Sequence, residues 1–294
     1  MKTLIKENFK SKLISILIRT KNEALYLEEV LFSISNQKNI SFEIVIVDSG
    51  STDNTLMIAK QFNCKIFNMI PEEFTFGRSL NYGIEKCNGD IIVILSGHCT
   101  PINNYWLYDL VSPIIHGKFS ATFGRQVARD GAHFFEKNNY LKCYPSEKRV
   151  DLENFSNANS ALSKKCWEVL KFDPNVSGSE DFLWAKNLND YGEKYCYVNT
   201  SVVYHSHNED FKSVFNRIIR EQMPLMKKKY TKIHYLQIIK LIVKSFVLFV
   251  IVIIFKKNKL QNLYGFYNFE IAKICALIFL FYSKKKILNE ESPN

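Results

Sequence analysis

Between residues 13 and 204 the chain alternates short apolar runs with stretches in which apolar positions recur every three or four residues. The short runs are β-branched and nearly continuous, which is typical of strands that are buried on both faces of a parallel sheet. Strands are predicted over 13–18, 43–47, 90–95 and 196–203. Alternation of such strands with helical stretches predicts an α/β fold, with a mostly parallel sheet flanked by helices.

The stretches between these strands predict the helices. Three-and-four-residue spacing indicates helices over 23–37, 53–62, 77–87 and 181–189. The first carries an apolar stripe from Leu27 to Ile34, which should pack on the sheet. The stretch 130–153 is long, polar and aromatic and has no clear period, so it predicts either a binding loop or lid, or a variable surface insertion.

The carboxy-terminal part of the chain has a different pattern. Residues 211–230 predict an amphipathic basic helix, and 241–255 and 274–282 are strongly apolar runs. Each run is shorter than the roughly 20 residues that cross a bilayer, although extending the first back to Leu236 reaches that length with two lysines inside it. An anchor lying in the membrane interface, or a hairpin, is favoured, and a true span is the alternative. We therefore predict a catalytic domain over 12–210 and a helical membrane-associating region over 211–294.

Composition and charge refine this division. The chain has 294 residues, 47% hydrophobic and 23% charged, with a net charge of +10. Much of the positive excess lies in late lysine runs that flank the apolar segments, at 227–229, 256–257, 259 and 284–286. This placement favours an anionic membrane surface over nucleic acid as the partner. The amino-terminal residues lack the pattern of a signal peptide, so we expect a cytoplasmic protein, peripheral or monotopic at the inner face of the cell membrane.

The seven cysteines are scattered and include no Cys-x-x-Cys pair. Their odd number and spacing argue against a disulfide framework and against a zinc ribbon.

Polar motifs follow the predicted strands, where ligands bind in open parallel sheets. The first strand is followed by Arg-Thr-Lys-Asn-Glu at 19–23 and the second by Asp-Ser-Gly-Ser-Thr-Asp-Asn-Thr at 48–55. The third is followed by Ser-Gly-His-Cys-Thr-Pro at 96–101. Later, Gly-Ser-Glu-Asp at 178–181 opens a helix.

These motifs, together with Gly-Arg-Ser-x-Asn-x-Gly at 77–83 and Gly-Asp at 89–90, resemble in their order the family-2 glycosyltransferases of the GT-A fold. The resemblance covers about residues 12–210, and within the family it is strongest to bacterial enzymes of surface-polysaccharide synthesis, including rhamnosyltransferases. It implies an inverting transfer of a sugar from a UDP-, dTDP- or GDP-sugar. The acceptor would be a hydroxyl of a glycan or of a lipid-linked glycan.

The resemblance also implies residues that bind the donor. Thr20, Asn22 and Glu23 would line the nucleoside pocket, and Asp48 would accept a hydrogen bond from the base or ribose. Asp53 is interpreted as a helix cap, because Asp-Asn-Thr precedes an apolar-periodic run.

Two further donor-binding candidates lie on the third predicted helix. Arg78 could pair with diphosphate oxygens, a solvated surface arginine being the alternative, and Asn81 lies one turn further along.

The metal motif departs from the family pattern. Ser96-Gly97-His98 stands where the family usually has Asp-x-Asp. His98 would replace the second aspartate, which is the direct metal ligand in the family. Ser96 would replace the first aspartate, so a contact to the ribose or to the outer sphere of the metal is lost. His205 and His207 follow the last predicted strand, and because they alternate in direction one of them can face the crevice. By analogy His207 is slightly preferred. An imidazole ligand suits Mn²⁺ better than Mg²⁺, so a divalent metal is expected with Mn²⁺ favoured.

Inversion requires a general base for the acceptor hydroxyl. The resemblance assigns this role to Asp181, a carboxylate at a helix start, with Glu180 as the alternative. The opposing interpretation is that both acids merely favour the first helical turn.

Two other functions compete with this assignment. A nucleotidyltransferase shares the sheet but normally needs a glycine-rich loop after the first strand, and residues 19–22 contain no glycine. A non-catalytic sugar-nucleotide-binding membrane scaffold is suggested by Ser96, whereas the Glu-Asp pair and the paired histidines argue against it.

Overall fold

The computed structural model describes residues 13–147, 154–207, 209–255 and 259–289. It forms two compact units. The first comprises the chain up to Arg129, Tyr140–Val176 and Glu180–Ser206, and the second comprises Asp130–Asn139, Ser177–Ser179 and the chain from His207 onward. Some predicted features lie outside the described residues. They are the lysine run at 256–257, the end of the stretch 130–153, and the side chains of the lysines at 259 and 284–286.

A mixed eight-stranded sheet forms the centre of the first unit. Its strands are β1 (Ile14–Thr20), β2 (Phe42–Asp48), β3 (Lys65–Asn68), β4 (Ile91–Ser96), β5 (Thr100–Pro101), β6 (Ala121–Val127), β7 (Asn159–Ser163) and β8 (Tyr195–Tyr204). Their order across the sheet is β3-β2-β1-β4-β7-β6-β8-β5. β7 runs antiparallel to β4 and β6, and β5 runs antiparallel to β8, while the other pairs are parallel. The predicted α/β fold with a mostly parallel sheet is confirmed.

Helices cover both faces of this sheet. They are α1 (Ala24–Ser35), α2 (Thr55–Gln61), α3 (Phe76–Glu85), α4 (Trp106–Ile115), α6 (Lys164–Val169) and α7 (Glu180–Asp190), while α5 (Phe134–Cys143) is divided between the two units. Alternation along β1 sends Ile16 into the core shared with α1 and α4, and Leu17 into the core shared with α3 and α7. The near-continuous apolar strands follow from this two-sided burial.

The stretch 130–153 differs from its prediction, because α5 occupies its middle. Phe135 is buried, and its ring packs against Phe134 and Phe266. Contacts with aromatic residues far along the chain stabilise this helix, and a local sequence pattern carries no signal of such contacts.

The second unit is helical in its carboxy-terminal part. Its helices are α8 (Phe211–Lys227), α9 (Tyr235–Phe255), α10 (Lys259–Gly265) and α11 (Ala272–Asn289), with a π-helical turn (Phe266–Ile271) between the last two. Met226, Ile233, Ile238 and Leu280 form its small buried core. Among the described residues, the helical segment Leu260–Ser283 is long and apolar enough to cross a membrane by length and composition. The predicted apolar runs lie within α9 and α11.

Candidate active site

The carboxyl ends of three parallel strands lie side by side in the first unit. Thr20 at the end of β1 is opposite Asp48 at the end of β2, and Arg19 is opposite Ser96 at the end of β4. Parallel pairing puts these ends at one edge of the sheet, so the three polar motifs that follow the strands share that edge.

Asp48 holds the turn that follows β2. Its carboxylate accepts hydrogen bonds from Thr20 Oγ1 at 2.9 Å and from the backbone N–H groups of Gly50 and Ser51 at 2.9 and 2.8 Å. Ser51 Oγ donates a further bond, and Asp48 is 2% exposed. These contacts fix the turn, and the nucleoside contact expected of Asp48 stays a prediction.

The loops after β1 and β2 are bonded to each other. Asn22, in the left-handed region at φ 57°, accepts a hydrogen bond from Thr52 N at 2.8 Å. Asp53 accepts from Ala24 N at 3.1 Å and from Thr55 N at 3.0 Å. Asp53 therefore bonds amides at the starts of α1 and α2, in keeping with the capping interpretation, although Asn54 is the residue directly before α2. These hydrogen bonds join the loops that follow β1 and β2.

Arg78 and Asn81, both on α3, have different surroundings. Arg78 is exposed, and its guanidinium donates to the carbonyl of Glu73 at 3.0 Å, which leaves it able to meet an anion. Asn81 accepts from Trp167 Nε1 at 3.0 Å and donates to the carbonyl of Phe172 at 2.8 Å. Both ends of the Asn81 amide thus hold the segment after β7, and the donor contact expected of Asn81 stays a prediction.

His98 and His205 come together at the edge of the sheet. β5 pairs with β8, with Thr100 opposite Tyr204, so the loop after β4 lies against the residue that follows β8. The Nε2 atoms of His98 and His205 are 3.1 Å apart. Nδ1 of His98 lies 3.0 Å from Glu23 Oε1, and Nδ1 of His205 lies 2.6 Å from Gln126 Oε1.

This pair fits a metal ion. Imidazole nitrogens that share an ion at about 2.0–2.1 Å each lie roughly 3–3.4 Å apart. In addition, a metal-ligating histidine normally donates its other ring N–H to a carboxylate or carbonyl oxygen, as both rings can here. His98, Cys99 and His205 are a group of described residues whose ligand atoms all lie within 4.8 Å of one another.

The structure changes one metal expectation from the sequence. His205, and not the slightly preferred His207, is the partner of His98; His207 belongs to the second unit, where its backbone N–H donates to Glu136 at 2.9 Å. Cys99 is fully buried, and burial, followed by the charge of Glu23, raises the pKa of its thiol. Because the thiolate is the ligand form, Cys99 is a poor third ligand.

Asp181 lies in the first turn of α7. Its carboxylate accepts from the backbone N–H of Asn157 at 3.2 Å and of Phe182 at 2.8 Å. Ala158, the next residue after Asn157, accepts from the backbone of Ser96, so the carboxylate lies near the end of β4. Desolvation, and after it the charge of Glu180, raises the pKa of Asp181 to about 7. A carboxylate with this pKa is suited to act as a base at neutral pH.

Two residues near these groups were not predicted as site residues. Arg19 NH2 lies 3.6 Å from Glu180 Oε1, and its guanidinium stacks on Phe76 at 4.8 Å. A cation at the end of a buried apolar strand is a local signal that could have identified Arg19. Gln126 gives no such signal, because its approach to His205 follows from the pairing of β6 with β8.

A mixed sheet of this topology, with polar motifs at the carboxyl ends of its strands, defines the class of GT-A glycosyltransferase folds. A mannosyltransferase from Pyrobaculum calidifontis, solved in complex with GDP-Man and Mn²⁺, matches with a TM-score of 0.57 at 17% identity, over 94% of this chain and 74% of that chain. Glucosyl-3-phosphoglycerate synthase from Mycobacterium tuberculosis, with Mn²⁺, UDP and phosphoglyceric acid, matches with a TM-score of 0.55 at 20% identity, over 71% and 76%. At these identities the likeness concerns the fold.

The sequence comparisons identify the family. Residues 15–164 match the model of glycosyl transferase family 2, and the chain belongs to that family. The O-antigen chain rhamnosyltransferase RfbN of Salmonella typhimurium is 27% identical over 69% of this chain and 69% of its own length. The O-antigen chain rhamnosyltransferase WbaN of Salmonella anatum is 26% identical over 64% of each. The chain is thus a glycosyltransferase, and the alternative of a nucleotidyltransferase is wrong.

Proposed function

We propose that this chain is an inverting glycosyltransferase of surface-polysaccharide synthesis that moves a sugar from a nucleotide-diphosphate donor to a hydroxyl of a glycan or lipid-linked glycan. The observation that carries the proposal is Asp181, a carboxylate with a raised pKa at a helix start beside the strand end that bears Ser96 and His98. The rhamnosyltransferase relatives support a deoxyhexose or hexose as the transferred sugar.

Asp181 acts as the general base in this proposal. Its carboxylate takes the proton of the acceptor hydroxyl, and the hydroxyl oxygen forms a bond to the anomeric carbon. The bond from that carbon to the donor phosphate breaks on the opposite face, and the nucleoside diphosphate leaves with the electron pair. The configuration at the anomeric carbon is therefore inverted.

His98 and His205 hold a divalent ion in the proposed enzyme, with Mn²⁺ preferred to Mg²⁺ because imidazole is a softer ligand than carboxylate. When bound, such an ion offsets charge on the leaving diphosphate. The fold neighbours that were solved with Mn²⁺ support a metal for this chain as well. Replacement of His98 by alanine should abolish the response of activity to Mn²⁺, and aspartate should partly restore it with a shift towards Mg²⁺. Full activity of His98→Ala in excess chelator would contradict the metal part.

The donor lies, in the proposal, along the edge formed by Thr20, Asn22, Asp48 and Ser96, with Arg78 facing its diphosphate. The resemblance predicts Glu23 in the same nucleoside pocket, whereas its carboxylate lies beside His98. The donor base is one of uracil, thymine and guanine.

The second unit attaches the enzyme to the inner face of the cell membrane in this proposal. Large apolar side chains on α9 are exposed, among them Val243, Phe246 and Ile254. Lys240 and Lys244 on the same helix supply positive charge that anionic lipid attracts. The enzyme would then meet a lipid-linked acceptor at the surface where that acceptor is anchored.

A donor screen tests the proposal. UDP-, dTDP- and GDP-sugars, including dTDP-rhamnose, are compared by calorimetry in Mn²⁺, and the tightest-binding donor is then offered with lipid-linked glycan acceptors. We expect one base to bind at least tenfold more tightly than the others, and a product of inverted anomeric configuration by NMR. A product with retained configuration would contradict the role of Asp181, and donor binding without transfer to any hydroxyl would favour the non-catalytic scaffold.

A further inference from the structure

Glu23 lies beside a histidine although the sequence predicts it in the nucleoside pocket. Both of its carboxylate oxygens are within hydrogen-bond distance of His98 Nδ1, at 3.0 and 3.2 Å. The two side chains are about equally buried, at 21% and 18% exposure. A carboxylate accepts and does not donate, so it selects the ring tautomer of His98 that carries its proton on Nδ1.

Gln126 makes the equivalent contact with the second histidine. Its Oε1 is 2.6 Å from His205 Nδ1, and both residues are nearly fully buried. With Nδ1 of each ring donating to an oxygen, the lone pair of each Nε2 points into the 3.1 Å gap between the rings. At this distance the two Nε2 atoms need a cation between them, which is either a proton that one imidazolium ring donates to the other or a divalent ion bound by both rings.

Gly97 provides the space for this arrangement. A Cβ atom at this position would lie 2.9 Å from Cγ of Glu23 and 3.3 Å from its carboxyl carbon. A side chain between Ser96 and His98 would therefore displace Glu23 from the imidazole. The Ser-Gly-His motif thus serves two purposes, since its histidine is a ligand and its glycine admits the carboxylate that orients this ligand.

We infer that Glu23 is a positioning residue of the metal site, which with Gln126 fixes both imidazole rings so that their Nε2 atoms converge on one divalent ion. The inference rests on the proposed function and departs from the nucleoside role expected for Glu23. Because Glu23 is charged and Gln126 is neutral, the hydrogen bond to Glu23 is charge-assisted, and loss of Glu23 should be the more damaging of the two. Loss of such outer-sphere partners typically costs 10–100-fold in metal affinity.

The test measures Mn²⁺ affinity without nucleotide, by calorimetry and by the EPR signal of free Mn²⁺, in the full-length protein. We expect Glu23→Gln to weaken Mn²⁺ binding by roughly 10–100-fold and Gly97→Ala to weaken it in the same direction. Gln126→Glu, which can only accept, should bind Mn²⁺ at least as tightly as the wild type. Glu28→Gln, an exposed change on the same helix α1, is the matched control and should leave the affinity unchanged.

A second measurement separates this inference from a nucleoside role. Binding of UDP, dTDP and GDP is measured in excess chelator, where the metal makes no contribution. Unchanged nucleotide affinity in Glu23→Gln with weakened Mn²⁺ binding supports the inference. Weakened nucleotide affinity with wild-type Mn²⁺ binding would overturn it and return Glu23 to the nucleoside pocket. Failure of the wild-type protein to bind Mn²⁺ would instead overturn the metal part of the proposed function, and the inference with it.

Discussion

At the scale of single residues, the Asp181 carboxylate combines partial burial with a charged neighbour. Its raised pKa means that the protonated form is favoured in the folded protein, whereas an unfolded chain has the ordinary aspartate pKa of about 3.9. This group therefore contributes most to stability below that ordinary pKa, and the contribution is lost as the pH rises towards 7. The role proposed for Asp181, a base that accepts a proton at neutral pH, therefore carries a cost in stability.

Replacement of Asp181 by asparagine should affect activity and stability in opposite directions. We expect transfer to fall by about 10²–10⁴-fold, because the general base is lost while donor contacts remain. The melting temperature should exceed that of the wild type by several degrees at pH 8 and by less at pH 5, because asparagine carries no charge that burial penalises. Asp190→Asn, at the exposed last position of the same helix, is the control and should retain activity. Near wild-type transfer by Asp181→Asn would remove this residue from the mechanism.

Glu180 should set the pH at which Asp181 becomes active. Its charge, after desolvation, contributes to the raised pKa of Asp181, while Arg19 acts in the opposite direction. Glu180→Gln removes the raising charge and leaves Arg19, so the acidic limb of kcat/KM against pH should move to lower pH. The profile is measured between pH 5 and 9 at saturating Mn²⁺. An acidic limb that stays in place would show that another group limits activity there.

At the scale of elements, α9 combines exposed apolar side chains with lysines, a pattern suited to an anionic lipid surface. The double variant Val243→Ser/Phe246→Ser should bind phosphatidylglycerol vesicles at least about tenfold more weakly in a sedimentation assay, since each large side chain contributes about 1.5–3 kcal/mol when fully buried. Both side chains are more than half exposed, so the fold should tolerate the change. Met57→Ser removes a similarly exposed apolar side chain from α2 and should not affect binding. Equal binding by both variants would place the membrane contact elsewhere.

At the scale of the whole catalytic unit, Arg129 connects parts of the chain that are distant in sequence. Its guanidinium donates to both carboxylate oxygens of Glu29 on α1 at 3.0 Å and to Thr100 Oγ1 on β5 at 2.6 Å. Its backbone N–H donates to Ser206 at 2.8 Å, directly after His205. The residue thus joins the segments that carry both histidines.

Arg129→Ala should lower the free energy of unfolding by roughly 1–3 kcal/mol in urea titrations, because it breaks several charge-assisted hydrogen bonds at once. It should also weaken Mn²⁺ binding, since the loop that carries His98 loses its anchor. Lys171→Ala breaks an exposed ion pair with Glu85 and should change stability by less than about 0.5 kcal/mol. Loss of stability with unchanged Mn²⁺ affinity would show that Arg129 supports the fold without positioning the histidines.

The sequence by itself determined four strands and four helices of the first unit and their order along the chain, whereas β3, β5, β7, α4, α5 and α6 were not predicted. Buried β-branched runs and helical spacing placed β1, β2, β4 and β8 and helices α1, α2, α3 and α7 to within two residues at each end, because these signals are local and repeat along the chain. The polar motifs at the strand ends followed directly, since any parallel sheet gathers them at one edge.

The tertiary structure decided which side chains meet. The choice of His205 as the partner of His98 depends on the pairing of β5 with β8, two segments about a hundred residues apart, and periodicity in the sequence contains no register between strands. The same holds for Glu23 beside His98, for Asn81 holding Trp167 and for α5 packed on distant aromatic rings. A local sequence pattern indicates whether a residue favours a helix, a strand or a buried position. Long-range packing determines which other side chain it contacts in the folded protein.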